Sequence, residues 1–193
     1  LERRKMLEEA KRNAQTESAF RPLDYHPTPT NRPEAIAKYG MRFIETFPRE
    51  RIGKMFSPSI ELRKMGGESF VGVGIYRGSF PIGEMGIGFE KDAIIIEGMQ
   101  GRGTPGEIKK FNQLYGQWAT ILIQRLENHA RKMGITKIKI RRPETLESYR
   151  YPVLRVYKTT REQLQKEMEQ LYYTVARKAG FKKGKEFFTK ELP

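Results

Sequence analysis

Residues 93–100 read AIIIEGMQ, and GRGTPG carries the chain on to residue 106. Three consecutive isoleucines are apolar on both faces, so they predict a strand in the middle of a sheet. Lys91 and Asp92, just before the run, form a tight-turn signal. The glycine-rich exit admits two readings. It is either a phosphate cradle built from backbone N–H groups, or a tight departure from a buried strand.

Upstream of this run the hydrophobic period is two. SIELRKM (59–65), FVGVGIY (70–76) and EMGIGFE (84–90) read as strands, with Gly66-Gly67 and RGSFPIG as turns. They form an antiparallel meander leading into the isoleucine strand. Gly72 and Gly74 share one face of their strand, as do Gly86 and Gly88. Glycine inside a strand marks a close approach to the backbone. The favoured occupant of that hollow is a large side chain, Trp118 first among them; a ligand or peptide groove is the other account.

Downstream, Leu114, Trp118, Ile121, Leu122, Leu126, Ala130 and Met133 trace one face of a single long helix from about Ile108 to Met133. Gly134 fits a left-handed cap. His129 stands beside the apolar stripe and reads as a surface residue. ITKIKIR (135–141) alternates as a strand. Residues 144–160 look irregular, with VLRVYK as a short strand. Thr160 and Gln163 are spaced as a capping box for a last helix whose face is Leu164, Met168, Leu171, Tyr172, Val175 and Ala179. EFFTKEL closes the chain as a strand. A strand, crossover helix and parallel strand over 93–140 make a βαβ unit, so the fold class is α+β around a mixed sheet. Residues 1–33 read as a charged helical arm and a proline-rich linker, and 34–193 as one domain, which opens on a helix interrupted at Gly40.

The chain has 193 residues, no cysteine and two histidines, His26 and His129. Thiolate nucleophiles, disulfides and cysteine zinc sites are excluded, and no metal site is expected. No apolar run approaches the roughly 20 residues that span a bilayer, and the opening residues lack the apolar core of a signal peptide, so a cytoplasmic protein without a membrane partner is expected. The net charge is +14, and residues 135–193 hold 15 basic against 7 acidic side chains. Such a field attracts polyanions.

The second half resembles the GNAT acyltransferase superfamily. The resemblance rests on AIIIEGMQ, LENHARKMG, ITKIKI and LYYTVARKAGFKK, and covers about residues 60–190. It implies a GNAT-like mixed sheet, acyl-CoA as cofactor and N-acyl transfer as activity. It also implies a Gln/Arg-x-x-Gly-x-Gly/Ala loop after the central strand, whose amides hold pyrophosphate at a helix N-terminus. Gly98, Gln100, Gly101, Arg102, Gly103 and Gly106 are the matching candidates. Pro105 departs from the pattern by removing a donor. Counting back from Gly134 places the loop instead at 114–119, LYGQWA.

Chemistry would need a base and an acid. Glu97, at the end of the central strand, and Glu84, on its neighbour, are the carboxylates best placed to relay a proton. Where the family carries a tyrosine four residues before the Gly-Phe pair, this chain has Ala176. Tyr173 is the better substitute, because Tyr172 lies on the apolar face.

A second function class follows from charge. The chain would then be a non-catalytic assembly module contacting nucleic acid, a ribonucleoprotein or a virion through Arg141, Arg142, Arg150, Arg155, Lys158, Lys182, Lys183 and Lys185, with the N-terminal arm docked on a partner.

Overall fold

The computed structural model describes residues 39–52, 58–63, 71–146, 149 and 160–193. Its centre is an eight-stranded sheet. The strands are β1 (Glu50–Arg51), β2 (Ser59–Arg63), β3 (Val71–Arg77), β4 (Phe80–Glu90), β5 (Ala93–Gly101), β6 (Lys137–Arg141), β7 (Lys182–Lys183) and β8 (Phe187–Glu191). Among the described residues four α-helices accompany them: α1 (Met41–Thr46), α2 (Pro105–Tyr115), α3 (Trp118–Lys132) and α4 (Arg161–Lys178). The spatial order is β1-β2-β3-β4-β5-β6-β8-β7. Every pairing is antiparallel except β5 with β6. The fold is therefore α+β, with the isoleucine strand inside the sheet and a helical crossover to its parallel neighbour.

Ile94, Ile95 and Ile96 are fully buried, as a run apolar on both faces requires. The outermost strands, β1 and β7, have two residues each and were not legible in the sequence. The β3–β4 turn is only Gly78-Ser79, so Phe80–Gly83, read as turn, belong to β4. Gly78 takes the positive φ that such a hairpin needs. The arm, the proline-rich linker and VLRVYK lie outside the described residues.

The single helix expected over 108–133 is two helices. Gly116 sits at φ 95 between them, a conformation that glycine adopts freely and other residues rarely do. Thr104 opens α2 with a capping box closed by Glu107, and Pro105 occupies its first turn. Leu114 consequently belongs to α2 and is 65% exposed rather than packed. Both long helices end alike. Ile135 N–H donates to Ala130 O beyond Gly134, and Phe181 N–H to Ala176 O beyond Gly180. Both glycines have positive φ, as this reverse-turn cap demands. The expected Thr160–Gln163 box opens α4.

The main core lies between α3 and the face of β3, β4 and β5 that carries Val71, Val73, Ile75, Met85, Ile87, Phe89, Ile94 and Ile96. Trp118 does not fill the hollow of the paired glycines. It lies on Gly83, which the register with Ile75 puts on the opposite face. Gly74 is instead covered by the Tyr76 ring of its own strand.

His129 is buried, not at the surface: it is 6% exposed. Its ring stands edge-on to Phe43 and Phe47, with both centroids 5.1 Å away, so it ties α1 to α3. Desolvation, aided by Lys132 and Arg42, lowers its pKa from 6.5 to about 4. The unfolded chain therefore binds this proton more readily between those values, and the fold loses stability as pH falls through the window. The expected loss is up to about 3 kcal/mol. Urea midpoints at pH 7 and pH 4 check it, because His129→Phe should remove this part of the pH dependence; an unchanged pH profile in that variant would show His129 is not the responsible group.

Candidate functional site

The two parallel strands stay together for only four residues. Ala93–Ile96 pair with Lys137–Ile140, after which β5 runs on to Gly101 beside β4 alone. The register also slips at this point: Ile87 faces Ile96 while Gly86 faces Gly98. Glu97 is thus the extra residue of a β-bulge, placed where β5 and β6 part.

Side chains close the parting. Arg141, the first residue of β6 beyond the last parallel pair, donates from Nε to Glu97 Oε2 at 2.6 Å. Glu97 is buried, the Arg141 side chain is 11% exposed, and Glu97 Oε1 has no hydrogen-bond partner among the described residues. Two residues on, Met99 N–H donates to the Tyr172 hydroxyl of α4 at 2.6 Å. Burial raises the Tyr172 pKa, only partly offset by that bond, so the phenol is protonated at neutral pH.

The glycine-rich exit answers the alternative it posed. Arg102 N–H and Gly103 N–H both turn to Ile82 O, at 3.0 and 3.3 Å. Gly101 lies against Ile108, and the Arg102 guanidinium pairs with Glu84 at 2.8 Å. Glu107 occupies the start of α2, where it accepts from Thr104 N–H at 2.9 Å and pairs with Arg77. Those contacts lower the Glu107 pKa, backbone hydrogen bonding first. This segment is a tight exit whose own carboxylate takes the anion position. The first turn of α3 falls at the 114–119 stretch reached by counting back from Gly134. There Trp118 N–H is taken by Asn112 Oδ1 at 3.1 Å, while Ala119 and Thr120 have no acceptor within their own helix.

The remaining sequence-derived candidates are dispersed. Glu84 accepts from the Tyr76 hydroxyl at 2.5 Å and from Arg102. Tyr173 is engaged with the segment that follows β6: its hydroxyl donates to Glu144 at 2.6 Å and accepts from Arg142 at 3.1 Å. Arg142 also donates to the Gly184 and Lys185 carbonyls. Arg141 and Arg142 are thus bound into the protein, whereas Lys182, Lys183 and Lys185 are exposed. Arg150, Arg155 and Lys158 lie outside the described residues. Tyr172 and Arg141 are the two members of the parting that a sequence-based search for catalytic groups passed over. Tyr172 sits on an apolar helical face, and Arg141 shares its composition with any basic surface. Among the described residues no cluster of metal-ligating side chains is present, and no helix is long and apolar enough to cross a membrane.

No family model, curated protein or solved structure matches the chain.

Proposed function

We propose that this chain is a GNAT-like acyl-thioester-binding protein, with acyl-CoA held at the parting of β5 and β6 and slow transfer of the acyl group to an amine. The observation that carries the reading is the bulge at Glu97. It parts two parallel strands and leaves a strand amide, Met99 N–H, to be satisfied by a side chain instead of by β6.

In this reading the thioester carbonyl accepts from Met99 N–H after the Tyr172 hydroxyl moves aside. The pyrophosphate sits at the first turn of α3, where the helix dipole and the Ala119 and Thr120 amides favour an anion. The 98–103 loop contributes shape rather than donors. The amine attacks the thioester carbon, a C–N bond forms as the C–S bond breaks, coenzyme A leaves as its thiolate and takes a proton from solvent, and the amine proton passes to Glu97 Oε1, the carboxylate oxygen left without a partner. Transfer is slow because Glu97 is held by Arg141, and Glu84 and Tyr173 are engaged elsewhere.

Titration with acetyl-CoA tests the reading. Saturation at a hundredfold excess over Kd should stabilise the fold by about 2.7 kcal/mol. Tyr172→Phe removes the internal competitor for Met99 N–H. A net hydrogen bond of about 1 kcal/mol then translates into roughly fivefold tighter binding. Glu97→Gln should leave binding intact and abolish transfer. Absence of any thermal shift at millimolar acetyl-CoA in both the natural chain and Tyr172→Phe would reject the thioester site.

A further inference from the structure

Large apolar side chains reach solvent in one region of the described surface. Among the described residues they are Phe80, Leu114 and Tyr115, and the first two are 69% and 65% exposed. Phe80 opens β4 and stands opposite Arg77 across the Gly78-Ser79 turn, so the two side chains leave the same face of the hairpin. Arg77 reaches from there to Glu107 on α2 at 2.9 Å. Leu114 follows Glu107 two helical turns later on the same stripe of α2, about 10 Å along its axis. Lys110 lies between them on that stripe, and Tyr115 ends the helix. The hairpin tip and this flank of α2 thus form one rim, with the Arg77–Glu107 pair inside it and an exposed apolar side chain to either side. Phe111 alone on α2 is fully packed into the core, so the rest of the helix stands clear of the body.

Exposed apolar groups gathered in one place mark a contact. We propose that this rim rests on an anionic lipid surface, with Phe80 and Leu114 entering the boundary between headgroups and acyl chains and the neighbouring lysines meeting lipid phosphates. Charge selects that occupant. Lys109 and Lys110 are exposed, and neither meets a carboxylate among the described residues. The hairpin segment 77–83 contains no Asp or Glu, and none lies between Glu107 and Glu127. Glu107 itself is engaged by Arg77 and Thr104. Lysines beside exposed aromatic and leucine side chains are the combination an interfacial contact uses. A nucleic-acid backbone would leave Phe80 and Leu114 in water. A second copy would bring the same lysines, and the same net charge of +14, against this rim. Among the described residues no helix is long and apolar enough to cross a bilayer, but lying on its surface needs none. The proposal stands apart from the thioester reading, because it uses neither Glu97 nor Tyr172 and its test needs no acyl-CoA.

Co-sedimentation of the full chain with vesicles about one-fifth phosphatidylserine, and with neutral phosphatidylcholine vesicles, tests it at about 50 and about 200 mM salt. The natural chain should bind the anionic vesicles at least about tenfold more tightly than the neutral ones, and part of that preference should go at the higher salt. Lys109→Gln/Lys110→Gln should weaken anionic binding at least about tenfold. Phe80→Ser/Leu114→Ser should weaken it by at least about tenfold at both salt concentrations, because salt does not screen apolar burial. Lys132→Gln/Lys178→Gln, at the C-terminal ends of α3 and α4, should change it by less than about threefold. No binding to anionic vesicles at the lower salt overturns the proposal. So does unchanged binding in Phe80→Ser/Leu114→Ser, which would reduce the attraction to charge alone. Tighter retention on a DNA duplex than on the vesicles also overturns it, as does self-association of the natural chain that this double variant abolishes. If the double variant melts early, Phe80→Glu and Leu114→Glu, made singly, take its place and should each weaken binding.

Discussion

Replacing Trp118 by alanine is expected to cost about 3–5 kcal/mol of folding stability. The indole is 3% exposed and lies flat enough on Gly83 that a Cβ there would enter the ring. It joins the first turn of α3 to β4, so its removal leaves a large cavity between them. The companion change makes the test sharper. Gly83→Val should cost about 1–3 kcal/mol in the natural chain, because the ring blocks the new side chain. In Trp118→Ala the same valine enters vacated space, so its cost should shrink or reverse. Urea denaturation of the four proteins measures the coupling. Strictly additive costs would show that the ring does not rest on the strand.

Arg141→Leu should be comparably damaging, at about 3–5 kcal/mol. It leaves the Glu97 carboxylate buried with neither oxygen partnered. The ion pair itself need not be a large net stabiliser, since burying two charges consumes most of their attraction. Glu97→Leu/Arg141→Leu should therefore recover at least about 2 kcal/mol relative to the single variant. Recovery in the double variant separates the cost of a stranded charge from the worth of the pair. A loss below about 1 kcal/mol in Arg141→Leu would mean that water reaches Glu97 and that the parting is open.

The central architecture was readable because its residues leave little choice. Three isoleucines between a Lys-Asp turn and a glycine exit fit an interior strand, and Ile138 and Ile140 among lysines fit a neighbour buried on one face. The helix break was hidden for an equally physical reason. Leu114 falls four residues before Trp118, so the apolar period runs straight across Gly116, and only the glycine itself signals the left-handed turn. The short outer strands carry no period at all. At the candidate site, Glu97 could be placed by its position after the isoleucines. Its bulge could not, because a register slip depends on both strands of a pair. Arg141 lies 44 positions from Glu97 in the sequence, and Tyr172 lies 73 positions from Met99. The capture of the loop amides by Ile82 O is likewise a tertiary contact that glycine content cannot announce.

The sheet ends on Glu50–Arg51 at one side and Lys182–Lys183 at the other. Long, flat, apolar outer strands would offer a row of free N–H and C=O groups to a second chain and seed fibrous aggregates. Among the described residues each outermost strand is only two residues long, and three of the four side chains are cationic. Two copies that meet through their lysine flanks repel one another before their backbones can align, which disfavours stacking along that edge despite strands as rich in isoleucine as β5.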